Sequence, residues 1–183
     1  DDVCPQALKL LDSEDLHCLR FARQQSFSAN RAVTAADLRS ELAMREVAAI
    51  LRCDLTLTIS MAEHRLLTEF YQVPVSQLLY CPFLLDDVTV DTSVTFATRR
   101  HISFIGNFRH EPNWQAVLRL KQLWPALRAR LPGVELHIYG AYPPPKATKL
   151  HAPKQGFFIK GWADHAAEAF RDYRLCLAPL SFG

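Results

Sequence analysis

Three short stretches in the second half of the chain share one pattern: an apolar run, a glycine, then a turn. They are Ile105-Gly106-Asn107, Tyr139-Gly140-Ala141 and Lys160-Gly161-Trp162. If each run is a strand of one parallel sheet, its carboxyl end faces the crevice where such sheets take ligands. Glycine there lets backbone approach a ligand closely, and the N–H groups of a following helix attract anions. Gly106, with a helix expected to open near Asn113, is therefore a candidate seat for a diphosphate. Any one of these glycines could serve only a tight turn; three at equivalent places strengthen the ligand reading.

Other chemistries lack their spacing. Neither GxGxxG nor GxxxxGK(S/T) occurs, which speaks against a nicotinamide dinucleotide and against a P-loop. HExxH and GxSxG are absent too. His110 and Glu111 are adjacent and have no further ligands in view, a poor chelating pair, so no metal and no cofactor is expected. The five cysteines (Cys4, Cys18, Cys53, Cys81 and Cys176) are odd in number and form no CxxC pair. Free thiols in a cytosolic compartment follow, with Cys53, Cys81 and Cys176 read as small core residues.

The elements that must carry these residues alternate between strand and helix, the signature of parallel α/β architecture. Strands are expected at 7–11, 55–59, 77–81, 101–105, 134–139, 157–160 and 175–177. A helix is expected over 15–25 and a loop over 26–33. A longer helix is expected over 34–52, opened by Thr34 with Asp37. Ser60 with Glu63 forms a capping box for the next one, which Val73-Pro74 ends. Pro112 suits a first helical turn, and Pro125 is expected to break or kink that helix. A short helix should run from Asp164 or His165 to Tyr173. The stretch 84–98, rich in Asp, Ser and Thr and without helical period, reads as an interdomain linker.

Composition sets the outer bounds. The 183 residues are 49% hydrophobic and 22% charged with a net charge of +2, ordinary for a globular protein. No Lys/Arg block stands out, so no nucleic-acid surface is expected. No apolar run approaches the roughly 18 residues a membrane span needs. The start lacks a basic, then apolar, leader. Both ends read as cut points in a longer protein, with a strand running into a loop at the finish. Truncated units should be only marginally stable, because sheet edges and apolar helix faces stay uncovered.

The stretch from Phe104-Ile105-Gly106-Asn107-Phe108-Arg109-His110-Glu111-Pro112-Asn113 through Trp124-Pro125 to Leu136-His137-Ile138-Tyr139-Gly140 resembles the opening of the donor-binding domain in family 4-like glycosyltransferases (glycosyl transferases group 1). So does Gly161-Trp162-Ala163-Asp164 followed by Leu177-Ala178-Pro179-Leu180-Ser181-Phe182-Gly183. Leu55-Thr56-Leu57-Thr58-Ile59-Ser60 with Glu63 resembles the last part of the acceptor-side domain, and Leu11-Asp12-Ser13-Glu14-Asp15-Leu16-His17 with Arg20 an earlier strand end facing the cleft. The likeness spans nearly the whole chain in the right order. The lysine and glutamate elements that the family carries beyond this point fall after Gly183.

The resemblance implies an α/β fold of two Rossmann-like parallel-sheet domains (GT-B), both incomplete here: 1–85 acceptor side, 86–98 linker, 99–183 donor side. On the donor side, Gly106 and Asn107 would border the diphosphate, Gly140 would belong to the donor site, and Arg109 would pair with phosphate, since a guanidinium matches its oxygens in bidentate fashion, or else be a solvated turn residue. Gly161 and Trp162 would lie at the nucleobase. Pro179, Phe182 and Gly183 would begin the loop around the donor sugar. On the acceptor side, His17 would contact the transferred sugar or stabilise charge in the transition state. Asp12 and Asp15 would orient His17, touch the acceptor or cap a helix.

The implied activity is transfer of a sugar from a nucleoside-diphosphate sugar to an acceptor hydroxyl, retaining and metal-independent. The fragment alone would be inactive. The acceptor stays open: glycan, lipid or small molecule. Two alternatives stay open as well, a non-catalytic relative that binds a sugar nucleotide and a sugar-nucleotide epimerase. The expected location is the cytoplasm or the cytoplasmic face of a membrane.

Overall fold

The computed structural model of the chain describes residues 4–84 and 93–182. The chain divides into two compact units, Asp1–Val88 with Phe182–Gly183, and Thr89–Ser181. Of the expected linker, residues 85–92 lie outside the described residues.

The first unit holds β1 (Leu10–Asp12), α1 (His17–Ser28), α2 (Glu41–Leu51), β2 (Leu55–Thr58), α3 (Met61–Arg65) and β3 (Leu78–Tyr80). Its strands run in the order β1-β2-β3, and both pairings are parallel. Helix α2 buries Ala43, Val47 and Ile50, a stripe at helical spacing. They meet Leu16, Leu19, Leu67, Val73 and Leu78 in the core.

The long helix expected over 34–52 is shorter. Asp37 accepts from Thr34 N at 2.8 Å and Thr34 Oγ1 at 2.7 Å, and pairs with Arg31 at 2.7 Å. These bonds hold a 3-10 turn at Asp37–Arg39, after which Ser40 caps α2 by accepting from Ala43 N. The Ser60–Glu63 box is only half formed. Ser60 Oγ accepts from Glu63 N, but the Glu63 carboxylate turns away to accept from Leu16 N at 3.1 Å.

The second unit holds β4 (Arg100–Ile105), α4 (Glu111–Arg130), β5 (Leu136–Tyr139), α5 (Pro145–Thr148), β6 (Phe157–Gly161) and β7 (Tyr173–Cys176). The order is β6-β5-β4-β7, all parallel. Successive strands step away from β4, then β7 returns to its other side, so the direction of winding reverses between β4 and β7. Trp114, Val117, Leu120 and Trp124 of α4 pack on Ile102, Phe104, Leu136, Ile138 and Phe157. Each large side chain so buried is worth about 1.5–3 kcal/mol. Trp124 also donates its indole N–H to Gln155 O at 2.7 Å.

Three expectations are corrected in this unit. Helix α4 runs through Pro125 without a break: Trp124 just before the proline is buried, and half-buried Leu127 after it still packs on the core. The helix expected to run to Tyr173 is only a 3-10 turn at Ala166–Ala169. Cys176 is exposed rather than a core residue, whereas Cys18 is buried and its thiol is pushed up to about 12 by burial and by Glu46.

Candidate functional site

The carboxyl ends of β4, β5 and β6 border one pocket of about 420 Å³, lined by Gly106, Asn107, Gly140, Tyr142, Trp162 and Asp164 among others. Two of the three expected glycines are forced by packing. A Cβ on Gly140 would overlap the carbonyl oxygen of Gly106, and one on Gly106 would lie 2.7 Å from Asn113 Cγ. Gly106 N donates to Tyr139 O at 3.1 Å and Gly140 N to Gly161 O at 2.7 Å, which ties the strand ends together.

The third glycine is displaced by one residue. The pairing of β5 with β6 shifts at Ile138/Tyr139, so Gly161 stands opposite Tyr139 rather than opposite Gly140. Gly161 has φ +76, the left-handed conformation that a bulge demands and glycine accepts. The bulge carries Trp162 forward into the pocket lining, with its ring 68% exposed and its Nε1–H donating to Asp164 Oδ1 at 3.1 Å.

The turn after β4 is locked by its own polar groups. Phe108 N donates to Ala141 O, Arg109 N to Asn107 Oδ1 at 2.9 Å, and His110 N to Asn107 O. Asn113 Nδ2 reaches back to the same Asn107 carbonyl at 3.1 Å. Pro112 has no N–H, and Asn113 N and Trp114 N are spent on His110 O. The helix start therefore has fewer amides to offer an anion than the sequence suggested. Arg109, outside the pocket lining, has its guanidinium carbon 3.8 Å from the centroid of the Tyr142 ring.

Strand β5 also carries a chain of polar side chains. His137 Nε2 lies 2.9 Å from Glu135, its Nδ1 2.6 Å from Tyr173 Oη, and Tyr173 Oη 2.8 Å from Tyr139 Oη. Burial pushes the His137 pKa down, and neighbouring Glu135 opposes this. A neutral His137 that donates to Glu135 and accepts from Tyr173 satisfies every member.

The remaining predicted residues stand elsewhere. Pro179 follows β7 and is not in the pocket lining. Phe182 is buried and counted with the first unit, its ring 5.5 Å from that of Phe27. Gly183 lies outside the described residues. In the first unit, His17 opens α1 with its side chain 61% exposed, its Nε2 3.3 Å from Asp15 Oδ1. Asp15 also pairs with Arg20 at 2.9 Å. His17 lines a separate groove of about 780 Å³ along α2, with Glu41, Arg45 and Glu46.

Neither Asp12 nor Asp15 caps α1. Glu46 of α2 accepts from His17 N and Cys18 N, both at 2.9 Å, and Glu63 from Leu16 N. Carboxylates from two other helices thus meet the positive end of α1. Asp12 accepts from Glu14 N at 3.3 Å. Among the described residues, no group of three or more His, Cys, Asp or Glu could hold a metal ion, and no helix is long and apolar enough to cross a membrane.

Sequence reasoning missed Tyr142, Asn113 and Asp164 as parts of the site. Asn113 and Asp164 stood in the stretches that carry the family resemblance, without a role. Tyr142 gave no signal beyond its place between a glycine-ended strand and three prolines.

Comparison with known proteins gives a family match for the second half of the chain. Residues 99–183 match the family model described as Glycosyl transferases group 1. A comparison with curated proteins finds no match. Among solved structures, the chain is similar to the crystal structure of TarM, with 15% identity and a TM-score of 0.58, over 75% of this chain and 27% of that one. It is similar as well to an S. aureus TarM mutant in complex with fondaparinux, alpha-GlcNAc-glycerol and UDP, with 14% identity and a TM-score of 0.57, over 78% of this chain and 28% of that one. At such identity the likeness is one of fold: parallel α/β units of the GT-B kind, present here in part. The chain spans less than a third of the TarM chains it matches.

Proposed function

We propose that the pocket at the ends of β4, β5 and β6 takes a nucleoside-diphosphate sugar, a reading supported by the match of residues 99–183 to the model of the group 1 glycosyltransferases. The whole protein would transfer that sugar to an acceptor hydroxyl. The observation that carries this is the convergence of Gly106, Asn107, Gly140 and Trp162 on one pocket, with Arg109 over the ring of Tyr142 in its wall. The nucleobase end is Trp162 with Asp164, an open ring face beside an acceptor of hydrogen bonds. The diphosphate end is the Gly106–Asn107 turn with Arg109.

In transfer, the bond from the anomeric carbon to the β-phosphate oxygen breaks and negative charge gathers on that oxygen. A positioned cation lowers the energy of this state relative to the bound donor. Arg109 supplies that charge in a metal-independent, retaining reaction. His17, held by Asp15, serves the acceptor side with Asp12 nearby in sequence. The TarM structure with UDP makes a UDP-sugar the first donor to try.

The test is a screen of UDP-, GDP- and ADP-sugars against this chain and against the longest form of the protein its gene encodes, with products resolved. Release of nucleoside diphosphate with a new glycoside is the expected result for the long form. An epimerised donor without acceptor would instead mark an isomerase, and tight binding without turnover a binder. Failure of every nucleotide sugar to bind would overturn the proposal.

A further inference from the structure

The geometry points to Tyr142 as a positioning residue that holds the Arg109 guanidinium at the pocket for the diphosphate. This rests on the donor-site reading above and adds to it a residue and a role.

Arg109 differs from the ion-paired arginines of the chain. Arg20, Arg31 and Arg171 are paired with Asp15, Asp37 and Asp172. Arg109 has no ion pair among the described residues. Its guanidinium carbon lies instead over an aromatic ring, 3.8 Å from the Tyr142 centroid. Stacking uses the face of the guanidinium and leaves its in-plane N–H donors free, which is the disposition a bidentate contact to phosphate requires. Tyr142 lines the pocket and Arg109 does not, so the ring is the contact through which the guanidinium is tied to the pocket wall.

Tyr142 is kept in an unusual state to do this. Its φ is +55, a left-handed conformation that is a real outlier for a bulky residue. The ring is 58% exposed, so burial does not compensate the strain. Pro143, next in the chain, disfavours the right-handed helical alternative. At both ends of the stack the backbone is anchored: Phe108 N donates to Ala141 O at 3.1 Å, and Arg109 N to Asn107 Oδ1 at 2.9 Å. Strain of this kind persists where the surroundings fix it, and it gathers at ligand sites. A guanidinium already placed loses less freedom when the ligand arrives, so binding is tighter than a free arginine would give.

The test is calorimetric titration with UDP, GDP and ADP, with uridine, guanosine and adenosine as controls that lack the diphosphate. Tyr142→Gly removes the ring while suiting the left-handed backbone, and Tyr142→Phe keeps the ring. The expected result is five- to tenfold weaker diphosphate binding for Tyr142→Gly, unchanged nucleoside binding, and Tyr142→Phe within twofold of the parent. Arg109→Ala should lose as much, and the double variant no more than Arg109→Ala alone, because the two act as one unit.

Equal weakening of nucleoside and diphosphate, Tyr142→Phe as weak as Tyr142→Gly, or losses that multiply in the double variant would each overturn the positioning role while leaving the donor site standing. If the parent chain binds no diphosphate at all, the donor-site reading fails first and takes this inference with it.

Discussion

At Gly140 two strand ends meet more closely than a side chain permits. Gly140→Ala would drive a methyl group into the Gly106 carbonyl. We expect a loss of about 1–3 kcal/mol in chemical denaturation, together with loss of nucleotide binding. Gly161 offers a contrast. Its φ is +76 and a Cβ there would meet nothing within 4 Å. Gly161→Ala should cost about 1–2 kcal/mol of backbone strain and leave binding largely intact. Equal effects of the two on binding would refute this account of the pocket wall.

His137 gives a pH dependence with a definite sign. Its folded pKa lies below the ordinary value, because burial disfavours the charged ring. As pH falls through about 6.5, the unfolded chain takes up a proton before the folded one does. The stability tied to this group is therefore whole above that pH and is lost as pH falls toward the lower folded pKa. Urea unfolding between pH 7.5 and 5.5 should show a decline that His137→Gln makes shallower. An unchanged slope in the variant would contradict the neutral, hydrogen-bonded histidine.

At the scale of elements, much was legible because period and caps are local. The strand–glycine pattern located β4, β5 and β6 to within a residue or two. Ser60 marked the start of α3, and the apolar spacing of Val117, Leu120 and Trp124 marked α4. What was not legible depends on partners that helical period does not reveal. Asp37 looks like part of a helix start, but Arg31 and Thr34 draw it into a separate turn. Glu63 looks like the second half of a box, but an open amide at Leu16 takes it.

The bulge that moves Trp162 into the site is a property of the β5–β6 pairing and leaves only the glycine at 161 as a trace. Pro125 is the clearest override of local preference. An interior proline costs a helix about 3 kcal/mol, of which its stiffening of the unfolded chain returns up to about 1. Pro125→Ala, at an exposed position, should therefore raise stability by about 2 kcal/mol, read as a higher melting temperature. A lowered melting temperature would mean that the proline serves the packing of α4.

For the whole molecule, the two units differ in what holds them. The first has strands of three and four residues and a core of aliphatic side chains with Cys18 and Ala43. It exposes Leu8, Leu10, Leu79 and Tyr80 on or beside its strands. The second buries Trp114, Trp124, Phe104 and Phe157 together. All three tryptophans (Trp114, Trp124 and Trp162) lie in the second unit.

On heating, helix content followed by circular dichroism should begin to fall before tryptophan emission shifts. Coincident transitions would show that the units unfold as one. The parallel order of each sheet was readable from the alternation of elements. The Arg109–Tyr142 stack was not, since nothing local in sequence forces an aromatic residue into the left-handed region.

The central claim is that a nucleoside diphosphate occupies the pocket at the ends of β4, β5 and β6. Backbone amide chemical shifts of the chain, followed by NMR as UDP is added, test it most directly. Shifts should concentrate at Gly106, Asn107, Gly140, Tyr142, Trp162 and Asp164, with the Trp162 indole N–H among them. Shifts confined to other surfaces, or an unperturbed spectrum with UDP, GDP and ADP alike, would contradict it.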